Sequence, residues 1–419
     1  MTEPLTWYHA TATASERPRL IGDRTCDVCV IGGGLAGVST ALHCTERGLD
    51  TMLLEAETIG YGASGRNGGQ VLQSLSADVS VVERQVGKDG ARTFFNMARE
   101  AVDDMKDRVA RHAPDADLRF GYLHATLNER QLEEMRGVCE AWHAWGYTGP
   151  KIIQGSDVRE WIGSDRYTGA MVDPESGQIH PLRYLYGLAR AAETAGATLF
   201  EHSLVRDVEG TVVRTAGGAV TAKHVVYCGN AYLGPLQPKL RSKIMPVASF
   251  IAVTEPLSED LAAKLFPQDV AVADCNVALD YFRLTDDRRL LFGAGASYSA
   301  ITPPGLERWM RGKIGRVFPD LSDVRIDHLW GGLIGITLNR VPDIGRTAPD
   351  VFHAQGFSGQ GVVLTGLAGK IIAEAITGDD SRLKLFEKIR HLPFPGGPLK
   401  TPALVAGMTW AKLRDWIGV

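Results

Sequence analysis

The first strongly apolar stretch of the chain predicts a β-strand, then a glycine-rich turn and a helix. Residues 28–31 are Val-Cys-Val-Ile, and four of the next six residues are glycine. A helix is expected from Ala36 to about Arg47, followed by a second apolar strand that ends at Glu55. This alternation of strand and helix is typical of a parallel sheet.

Two later regions have different patterns. Apolar residues recur at helical spacing within 78–145, which predicts helices there. Residues 240–330 alternate between apolar and polar positions and contain turn signals, which predicts antiparallel strands. Within them, Tyr281–Leu284 and Leu290–Gly293 are expected to pair as a hairpin around a polar turn.

Two helices are predicted near the C-terminal end. An apolar helix should run from Val363 to about Ile376, with Gly378 at its C-terminal cap. Residues 401–419 have the spacing of an amphipathic helix, and the proline-rich residues 392–395 before it predict an extended arm. We expect this last helix to cover the protein's own surface; a dimer contact (the chain is a possible homo-oligomer) or a membrane surface is the alternative.

Composition and charge restrict the class of protein. The chain has 419 residues and a net charge of −4, which suggests about two or three domains and gives no basic surface for nucleic acid. We find no signal peptide and no apolar run of the roughly 18 residues that span a bilayer, so we expect a cytoplasmic protein without a transmembrane segment. Cys26 and Cys29 form a CxxC pair on the first strand, where we expect them to point to opposite faces as buried hydrophobic residues rather than as a redox or zinc pair.

The glycines after the first strand indicate a dinucleotide site. They permit a tight turn, a close approach of the backbone to a pyrophosphate and close packing of the helix, whose N-terminal N–H groups point at the phosphates. Glu55 lies where a carboxylate accepts hydrogen bonds from ribose hydroxyls and repels the 2′-phosphate of NADP, which favours FAD or NAD. The predicted contacts in this unit are Gly32, Gly33, Gly34, Leu35, Ala36, Gly37, Glu55 and Ala56.

A second glycine-rich loop follows the ribose-binding strand. Residues 59–70 contain five glycines, which suit a backbone that lies flat against a ligand. Ser64 can bond a phosphate and Arg66 can neutralise one, although Arg66 as a solvated surface charge is the alternative. The predicted contacts are Ser64, Arg66, Asn67, Gly68, Gly69 and Gln70.

A third glycine cluster opens the apolar helix near the C-terminal end. A helix N-terminus there has no use in a nicotinamide fold, but it stabilises the negative charge of a reduced flavin. A simple glycine-rich turn is the alternative interpretation. The predicted contacts are Gly356, Phe357, Ser358, Gly359, Gln360, Gly361 and Val362, and the predicted cofactor is FAD.

These three segments together resemble the D-amino-acid oxidase superfamily of FAD-dependent amine and amino-acid oxidoreductases. The resemblance covers nearly the whole chain. It is closest to the gamma-glutamylputrescine oxidase branch, on the evidence of Ala-Ser-Gly-Arg-Asn-Gly-Gly-Gln (63–70), the run 330–345 and the tail 392–397. It implies that the backbone of Val205 meets the adenine and that the turn at Gly229 returns to FAD.

The resemblance also implies an α/β fold: a Rossmann-type FAD-binding domain with a second, antiparallel-sheet substrate domain, as in glycine and D-amino-acid oxidases. We expect the FAD domain to comprise 20–75, 150–235 and 330–380, and the substrate domain to comprise 78–145 and 240–330. The C-terminal arm and amphipathic helix would be 381–419.

An absent arginine bears on the substrate. In the alignment with glycine oxidases, their carboxylate-binding arginine falls at Ile334, which argues for an amine and against a small α-amino acid. Arg340 lies six residues further on, and a phosphate, a neighbouring loop and solvent are its alternative partners.

The resemblance also bears on how FAD is attached. Sarcosine oxidases link FAD to a cysteine in this region of the chain, and no cysteine follows Cys275 here. FAD should therefore be non-covalent unless an N-terminal histidine is used.

For the substrate cavity we select Tyr281, Trp330 and Phe357, with Gln70 at its edge. Aromatic walls suit an aliphatic amine, and a cation can rest on an aromatic face before it loses its proton. A position in the core is the alternative for all three aromatic residues. His180, His328 and His353 are expected to be structural, and no metal site is predicted.

The resemblance implies oxidation of the CH–NH bond of gamma-glutamylputrescine or a related amine. Hydride would pass to flavin N5, the imine would hydrolyse, and dioxygen would reoxidise the flavin to give hydrogen peroxide. One alternative is a dehydrogenase that acts on an amine or amino acid and passes electrons to a quinone or carrier. Another is a non-catalytic flavin-binding subunit.

Overall fold

The computed structural model describes residues 6–276, 278–297 and 303–395. In these ranges the α-helices are α1 (Trp7–Thr11), α2 (Leu35–Thr45), α3 (Val79–His112), α4 (Glu129–Ala144), α5 (Pro181–Thr194), α6 (Pro238–Ser242), α7 (Glu259–Leu265), α8 (Leu306–Val317), α9 (Gly361–Ile376) and α10 (Ser381–Glu387). Helix α3 is interrupted at Gly87, where φ is 75°. The predicted helices at α2 and α9 are present, and Gly378 takes the left-handed conformation, with φ of 109°, just beyond the C-terminal end of α9.

The strands of the same ranges form two sheets. In chain order they are β1 (Arg24–Ile31), β2 (Thr51–Leu54), β3 (Gln70–Val71), β4 (Arg119–Thr126), β5 (Lys151–Gln154), β6 (Gly169–Gln178), β7 (Thr198–Phe200), β8 (Asp207–Glu209), β9 (Val212–Arg214), β10 (Ala219–Tyr227), β11 (Met245–Pro256), β12 (Ala271–Asp274), β13 (Tyr281–Leu284), β14 (Arg289–Ser297), β15 (Ile326–Ile336), β16 (Asp343–Ala348) and β17 (Val351–Gln355).

The first sheet has the strand order β16-β17-β10-β1-β2-β7, with β9 on β10 and β8 on β9. Strand β1 lies between β10 and β2 and is parallel to both. Its residues Val28 to Ile31 are buried, as expected for a central parallel strand whose two faces are both covered. Helices α2 and α9 pack against each other on one face. This sheet therefore places the glycine-rich turn after β1 at its carboxyl edge, where ligands bind in open α/β sheets.

The second sheet has the order β15-β11-β14-β13-β12-β4-β6-β3, with β5 on β6. All of its pairings are antiparallel except that of β12 with β4. The predicted hairpin is confirmed: Tyr281 pairs with Gly293 and Leu284 with Leu290. The mixed α/β class and the second, mostly antiparallel sheet are as expected.

Three predicted domain segments differ from the observed sheets. Strands β5 and β6, inside the 150–235 segment that we assigned to the FAD domain, pair in the second sheet. The end of β15, at the start of 330–380, also belongs there. Within 78–145, strand β4 separates the helices, and the apolar face of α3 packs in the same core as α5 and α9. Long-range pairing decides sheet membership, and the spacing of apolar residues along one segment does not reveal it.

The expectation that Cys26 and Cys29 point to opposite faces is wrong. Both lie in one core cluster with Ile31. The N–H groups of Asp27 and Val28 both donate to the Asp50 carbonyl, which is the pattern of a β-bulge and shifts the alternation by one residue. The two thiols are nevertheless buried and free, as predicted.

The described helices also bear on the membrane question. No single one of them is long and apolar enough to cross a membrane. Helices α9 and α10 together have the length and composition of a membrane span, but they are bent by 117° relative to each other. Helix α9 is also largely buried in the core. The amphipathic helix predicted at 401–419 lies outside the described residues.

Candidate functional site

A cavity of about 600 Å³ lies between the two sheets and collects most of the predicted site residues. One side is formed by the three glycine-rich segments and the other by side chains of the second sheet. The predicted residues that line it are Gly32, Gly33, Gly34, Leu35, Ala36, Glu55, Ala56, Ser64, Arg66, Asn67, Gly68, Gln70, Val205, Gly229, Tyr281, Phe357, Ser358, Gly359, Gln360, Gly361 and Val362. Gly37, Gly69, Gly356 and Trp330 are not among the lining residues.

The turn after β1 forms a cradle without side chains. Gly34 is the N-terminal cap of α2, and a Cβ on it would lie 2.9 Å from Ser64 Oγ, which accepts a hydrogen bond from Leu35 N. A Cβ on Gly37 would overlap the Gly32 carbonyl oxygen. Gly37 therefore allows α2 to sit close to β1, while the first three glycines leave room for a pyrophosphate at the helix N-terminus.

Glu55 is held at the carboxyl end of β2 beside this cradle. Its two carboxylate oxygens accept hydrogen bonds from Gly33 N at 2.5 Å and Glu57 N at 2.9 Å. Burial raises the pKa of the Glu55 carboxyl, and these backbone donors oppose that rise. The carboxylate is thus fixed at the cavity edge, where a ribose hydroxyl can donate to it.

The loop from Ala63 to Gln70 lies along the cavity and is held from behind. Arg66 is buried, and it donates from Nε to Tyr61 O at 2.8 Å and from Nη1 to Gly331 O at 3.3 Å, so it is not a solvated surface charge. Trp330 is buried as well and donates from Nε1 to Arg66 O at 3.1 Å. The prediction of Trp330 as a cavity wall is therefore wrong, because its side chain supports the loop instead of facing the cavity.

The third glycine segment brings the N-terminus of α9 to the cavity. Gln360 caps the helix, and its buried Oε1 has no hydrogen-bond partner within the described structure. Gly356 lies beneath the segment against Thr337 instead of at the surface of the cavity. The unpaired Gln360 Oε1 can accept a hydrogen bond from a ligand N–H group, and the positive end of α9 favours partial negative charge. Together they suit a ligand that has both features.

The opposite wall carries aromatic and amide side chains of the second sheet. The Tyr281 hydroxyl lies 3.3 Å from Ser249 Oγ, and burial raises the pKa of Tyr281 to about 12. The Tyr122 hydroxyl donates to Gln70 Oε1 at 2.8 Å, and Gln70 Nε2 donates to Val272 O at 3.0 Å. Both phenols therefore stay protonated near neutral pH, and the wall is rigid.

Our reading of the sequence missed Tyr122 and His124, which line the cavity from β4. Burial raises the pKa of Tyr122 and lowers that of His124. Their alternation with Leu123 and Ala125, which face the core of the second sheet, was a signal for a strand that the helical assignment of 78–145 concealed.

The histidines singled out in the sequence take no part in the cavity. His180 caps α5 by accepting from Arg183 N, and burial lowers its pKa to about 2. His353 bonds Asp343 at 3.0 Å in a buried cluster. Over the described ranges, no group of three or more His, Cys, Asp or Glu residues is arranged to hold a metal ion.

The side of the cavity that the second sheet forms has one apolar and one basic residue that bear on the choice of substrate. Ile334 lines the cavity from β15, opposite Val247 of β11. Arg340 lines it too, from the turn after β15, where its backbone has φ of 61°. Ile334, the position at which we expect the glycine oxidases to have their arginine, is thus apolar and does line the cavity.

The chain is similar over its full length to known oxidoreductases. It is 43% identical to gamma-glutamylputrescine oxidoreductase of Escherichia coli, with 100% of both chains covered. It is 39% identical to a probable oxidoreductase OrdL of Haemophilus influenzae, over 95% of this chain and 94% of that one.

Solved structures share the fold. Glycine oxidase of Geobacillus kaustophilus superposes with a TM-score of 0.73 at 21% identity, over 88% of this chain and 100% of that one. L-Proline dehydrogenase of P. horikoshii has the same TM-score at 22% identity, over 88% and 98%. Residues 27–375 match the family described as DAO, FAD dependent oxidoreductase. Since this match spans most of the chain and the cradle fits a dinucleotide, the chain belongs to the DAO family of FAD-dependent oxidoreductases.

Proposed function

We propose that this oxidoreductase acts on amines of the gamma-glutamylputrescine type. The carbon next to the reacting nitrogen loses a hydride to give an imine, and water converts the imine to an aldehyde and an amine or ammonia. With dioxygen as the acceptor of the two electrons, the other product would be hydrogen peroxide. The relative from Escherichia coli, with its 43% identity over the whole chain, supports this substrate class.

The observation that carries the proposal is the apolar side chain of Ile334 on the cavity wall. A planar arginine fork is the usual partner of a substrate carboxylate, and Ile334 cannot replace it. Of the two arginines that line the cavity, Arg66 directs Nε and Nη1 to backbone carbonyls, and Arg340 lies on the exposed turn after β15. The wall therefore favours an amine that reacts without an anchored α-carboxylate.

The same geometry supports a set of roles for the cofactor contacts. Gly32–Gly34 and the N-terminus of α2 would hold the pyrophosphate, and Glu55 would hold the adenosine ribose. The loop 64–70 and the N-terminus of α9 would hold the flavin ring. FAD, bound in this way without a covalent link, would supply the redox chemistry as the acceptor of the substrate's hydride.

The protein's part in the reaction is positioning and exclusion of water. The Tyr281 ring lies on the loop, since a Cβ on Gly68 would come within 2.5 Å of its Cε2. Tyr281, Tyr122 and Phe357 give a firm, mostly apolar wall that suits the methylene chain of an amine and holds its reacting carbon against the ring. Because the two phenols remain protonated, neither acts as the base.

The test is anaerobic reduction of the bound flavin by a panel of compounds. The panel contains gamma-glutamylputrescine, putrescine, butylamine, glycine and proline, and loss of the visible flavin absorption is the signal. Air is then admitted and peroxide is measured. We expect the glutamylated amine to bleach the flavin fastest, followed by rapid reoxidation with one peroxide formed for each flavin.

Each other outcome has a distinct meaning. Bleaching by amines with slow reoxidation in air indicates a dehydrogenase that uses a quinone or protein carrier. Bleaching by glycine or proline alone contradicts the inference from Ile334. A flavin that no member of the panel reduces contradicts the proposed substrate class as a whole.

A further inference from the structure

The loop that lies along the cavity is tied down through its backbone carbonyls. The Thr6 hydroxyl lies 3.4 Å from Gly65 O, Trp330 Nε1 donates to Arg66 O at 3.1 Å, and Arg283 Nε donates to Gly68 O at 2.9 Å. Ile179 N donates to the next carbonyl, that of Gly69, at 2.7 Å. Four elements distant in sequence therefore hold the back of one short loop.

Arg283 is the unusual member of this set. Its side chain belongs to β13 and is only 1% exposed. Besides Gly68 O, the guanidinium donates to the Ile179 and Leu284 carbonyls and to the Tyr8 hydroxyl, each at 3.2 Å. All four acceptors are uncharged oxygens, although a buried charge usually has an anionic partner.

The nearby carboxylates are engaged elsewhere. Arg283 influences the pKa of Asp117, but Asp117 pairs with Arg119 at 2.9 Å. Asp286 pairs with Arg183 at 2.7 Å. A protein gains little stability from burying a guanidinium against neutral oxygens alone, so this arrangement calls for an explanation beyond core packing.

The guanidinium also leaves no room at the loop. A Cβ on Gly69, where φ is +68°, would lie 2.8 Å from Arg283 Nη2 and would overlap Ile179 O. The loop path from Gly68 to Gly69 is therefore fitted to Arg283 on one side, while Gly68 faces the cavity and Tyr281 on the other.

The N-terminal helix completes the arrangement. Tyr8 of α1 is fully buried, and its ring contacts those of Trp330 and His180 at centroid distances of 5.8 and 4.9 Å. Thr11 Oγ1 lies 3.0 Å from His180 Nε2. Helix α1 precedes β1 in sequence, yet it packs against the side of the loop 63–70 that faces away from the cavity.

We propose that Arg283 is the positioning residue of the FAD site and that helix α1 belongs to this site by holding Arg283 through Tyr8. Arg283 holds the Gly68 carbonyl on the side of the loop away from the cavity, which fixes the face that the cofactor meets before FAD binds. This role depends on the family's FAD and not on the proposed amine, so it holds whichever substrate is oxidised.

The test compares FAD binding in three variants of the full chain. Arg283→Met keeps the length of the side chain and removes its donors, whereas Arg283→Lys keeps the charge and at most some of the hydrogen bonds. Arg289→Met is the matched control: Arg289 lies on the neighbouring strand β14 and pairs with Asp287 and Asp327, away from the loop. Release of FAD from diluted holoenzyme is followed by flavin fluorescence, together with the visible spectrum of the bound flavin and the thermal midpoint of the apoprotein.

We expect Arg283→Met to raise the FAD dissociation constant about 10- to 100-fold. Loss of a residue that supports the direct ligands of a bound group typically lowers affinity by about this factor. Arg283→Lys should recover part of this loss, and the flavin spectrum should shift in both variants. Arg289→Met should leave the dissociation constant and the spectrum unchanged, even if its apoprotein melts earlier.

Two results would overturn the proposal. One is an Arg283→Met dissociation constant within twofold of wild type. The other is that Arg283→Met and Arg289→Met lower the thermal midpoint equally and raise the FAD dissociation constant equally. In that case Arg283 would only stabilise the fold. If Arg283→Met does not fold, Trp330→Phe takes its place, because it removes only the donor to Arg66 O; unchanged FAD binding in both Trp330→Phe and Arg283→Lys then contradicts the proposal.

Discussion

At the scale of single residues, charge and burial on the cavity wall set the chemistry. Ile334, where the resemblance to glycine oxidases predicts an arginine, lines the cavity with an apolar side chain. A second residue, Asp274 at the end of β12, has a buried carboxyl group that we did not identify from the sequence. Each of these two residues supports a measurable prediction.

Replacing Ile334 with arginine should move the preference toward substrates that carry a carboxylate. The guanidinium would enter the cavity from β15 and offer two parallel donors to the carboxylate. We expect kcat/KM for glycine or proline to rise relative to that for butylamine by about tenfold or more, since a charge-assisted pair contributes on the order of 1.4 kcal/mol or more. Ile334→Met is the control, because it changes the shape without adding charge. If Ile334→Arg leaves the ratio of kcat/KM for glycine or proline to that for butylamine unchanged, Ile334 does not determine the preference for amines.

Asp274 should make the stability of the protein depend on pH. Burial, and after it the neighbouring Asp280, raise the pKa of Asp274 from 3.8 to about 7. Between these two values the folded state binds more protons than the unfolded state, so this group lowers stability as pH rises toward about 7. Other ionisable groups around it are Lys313, Tyr167, Cys275 and Tyr122.

Asp274→Asn should remove this loss. Relative to wild type, the variant should gain roughly 2–4 kcal/mol between pH 5 and pH 8, because each unit of displaced pKa corresponds to about 1.4 kcal/mol. Urea unfolding at a series of pH values measures the difference. The lost hydrogen bond from Asn276 Nδ2 adds an offset that does not depend on pH. Asp320→Asn, at an exposed pair with Lys264, should track wild type; parallel curves for Asp274→Asn and wild type would contradict the prediction.

At the scale of elements, close helix packing carries the nucleotide side of the cavity. Helix α2 approaches β1 at Gly37 and α9 at Gly369, where a Cβ would lie 2.6 Å from Thr40 N. These contacts place the N-termini of α2 and α9 at the same cavity. Close backbone contact at these two glycines therefore helps to align the two positive helix ends.

Gly37→Ala should therefore both destabilise the protein and weaken FAD binding. The added methyl overlaps the Gly32 carbonyl oxygen, so α2 must move away from the cradle, at a cost of about 1–3 kcal/mol. Gly366→Ala is the matched control in α9, where a Cβ meets nothing within 4 Å and helix propensity predicts a gain of about 0.5–1 kcal/mol. Chemical denaturation and FAD titration of both variants measure these effects. Equal stability of the two variants would show that α2 can shift freely.

At the scale of the whole molecule, the cavity lies between two sheets whose cores are partly shared, since Ile251, Val253 and Leu291 of the second sheet also pack with the helices of the first. One cluster of buried residues fills the second sheet and another fills the helices around the first. A cofactor in the cavity contacts both, so its binding energy stabilises the two halves together.

Removal of FAD should accordingly lower the thermal midpoint of both halves. With free FAD at about 100 times its dissociation constant, the holoenzyme should be about 2.7 kcal/mol more stable than the apoprotein. Calorimetry with and without added FAD measures this difference. Glu55→Gln should need more FAD for the same shift, because an amide accepts the ribose hydroxyl more weakly than a carboxylate does. A midpoint that does not respond to FAD would contradict the binding of FAD to the folded protein.

The sequence by itself determined the local parts of this protein. The turn after β1, the hairpin of β13 and β14, and the start of α9 follow from glycine placement and from the apolar period within one short segment. The same local chemistry indicated FAD, and Glu55 and Ser64, which it singled out, line the cavity. These features depend on backbone conformation and on neighbours only a few residues apart.

Only the tertiary structure decided which distant segments meet. It joined β5 and β6 to the second sheet, turned Trp330 behind the loop while Tyr281 faces the cavity, and brought Tyr122 and His124 into the wall. It also buried Arg283 against the carbonyl of Gly68, which is 215 positions away. An aromatic or charged residue has the same appearance in sequence whether it lines a cavity or supports one, because that choice depends on strand register and on contacts between segments far apart in the chain.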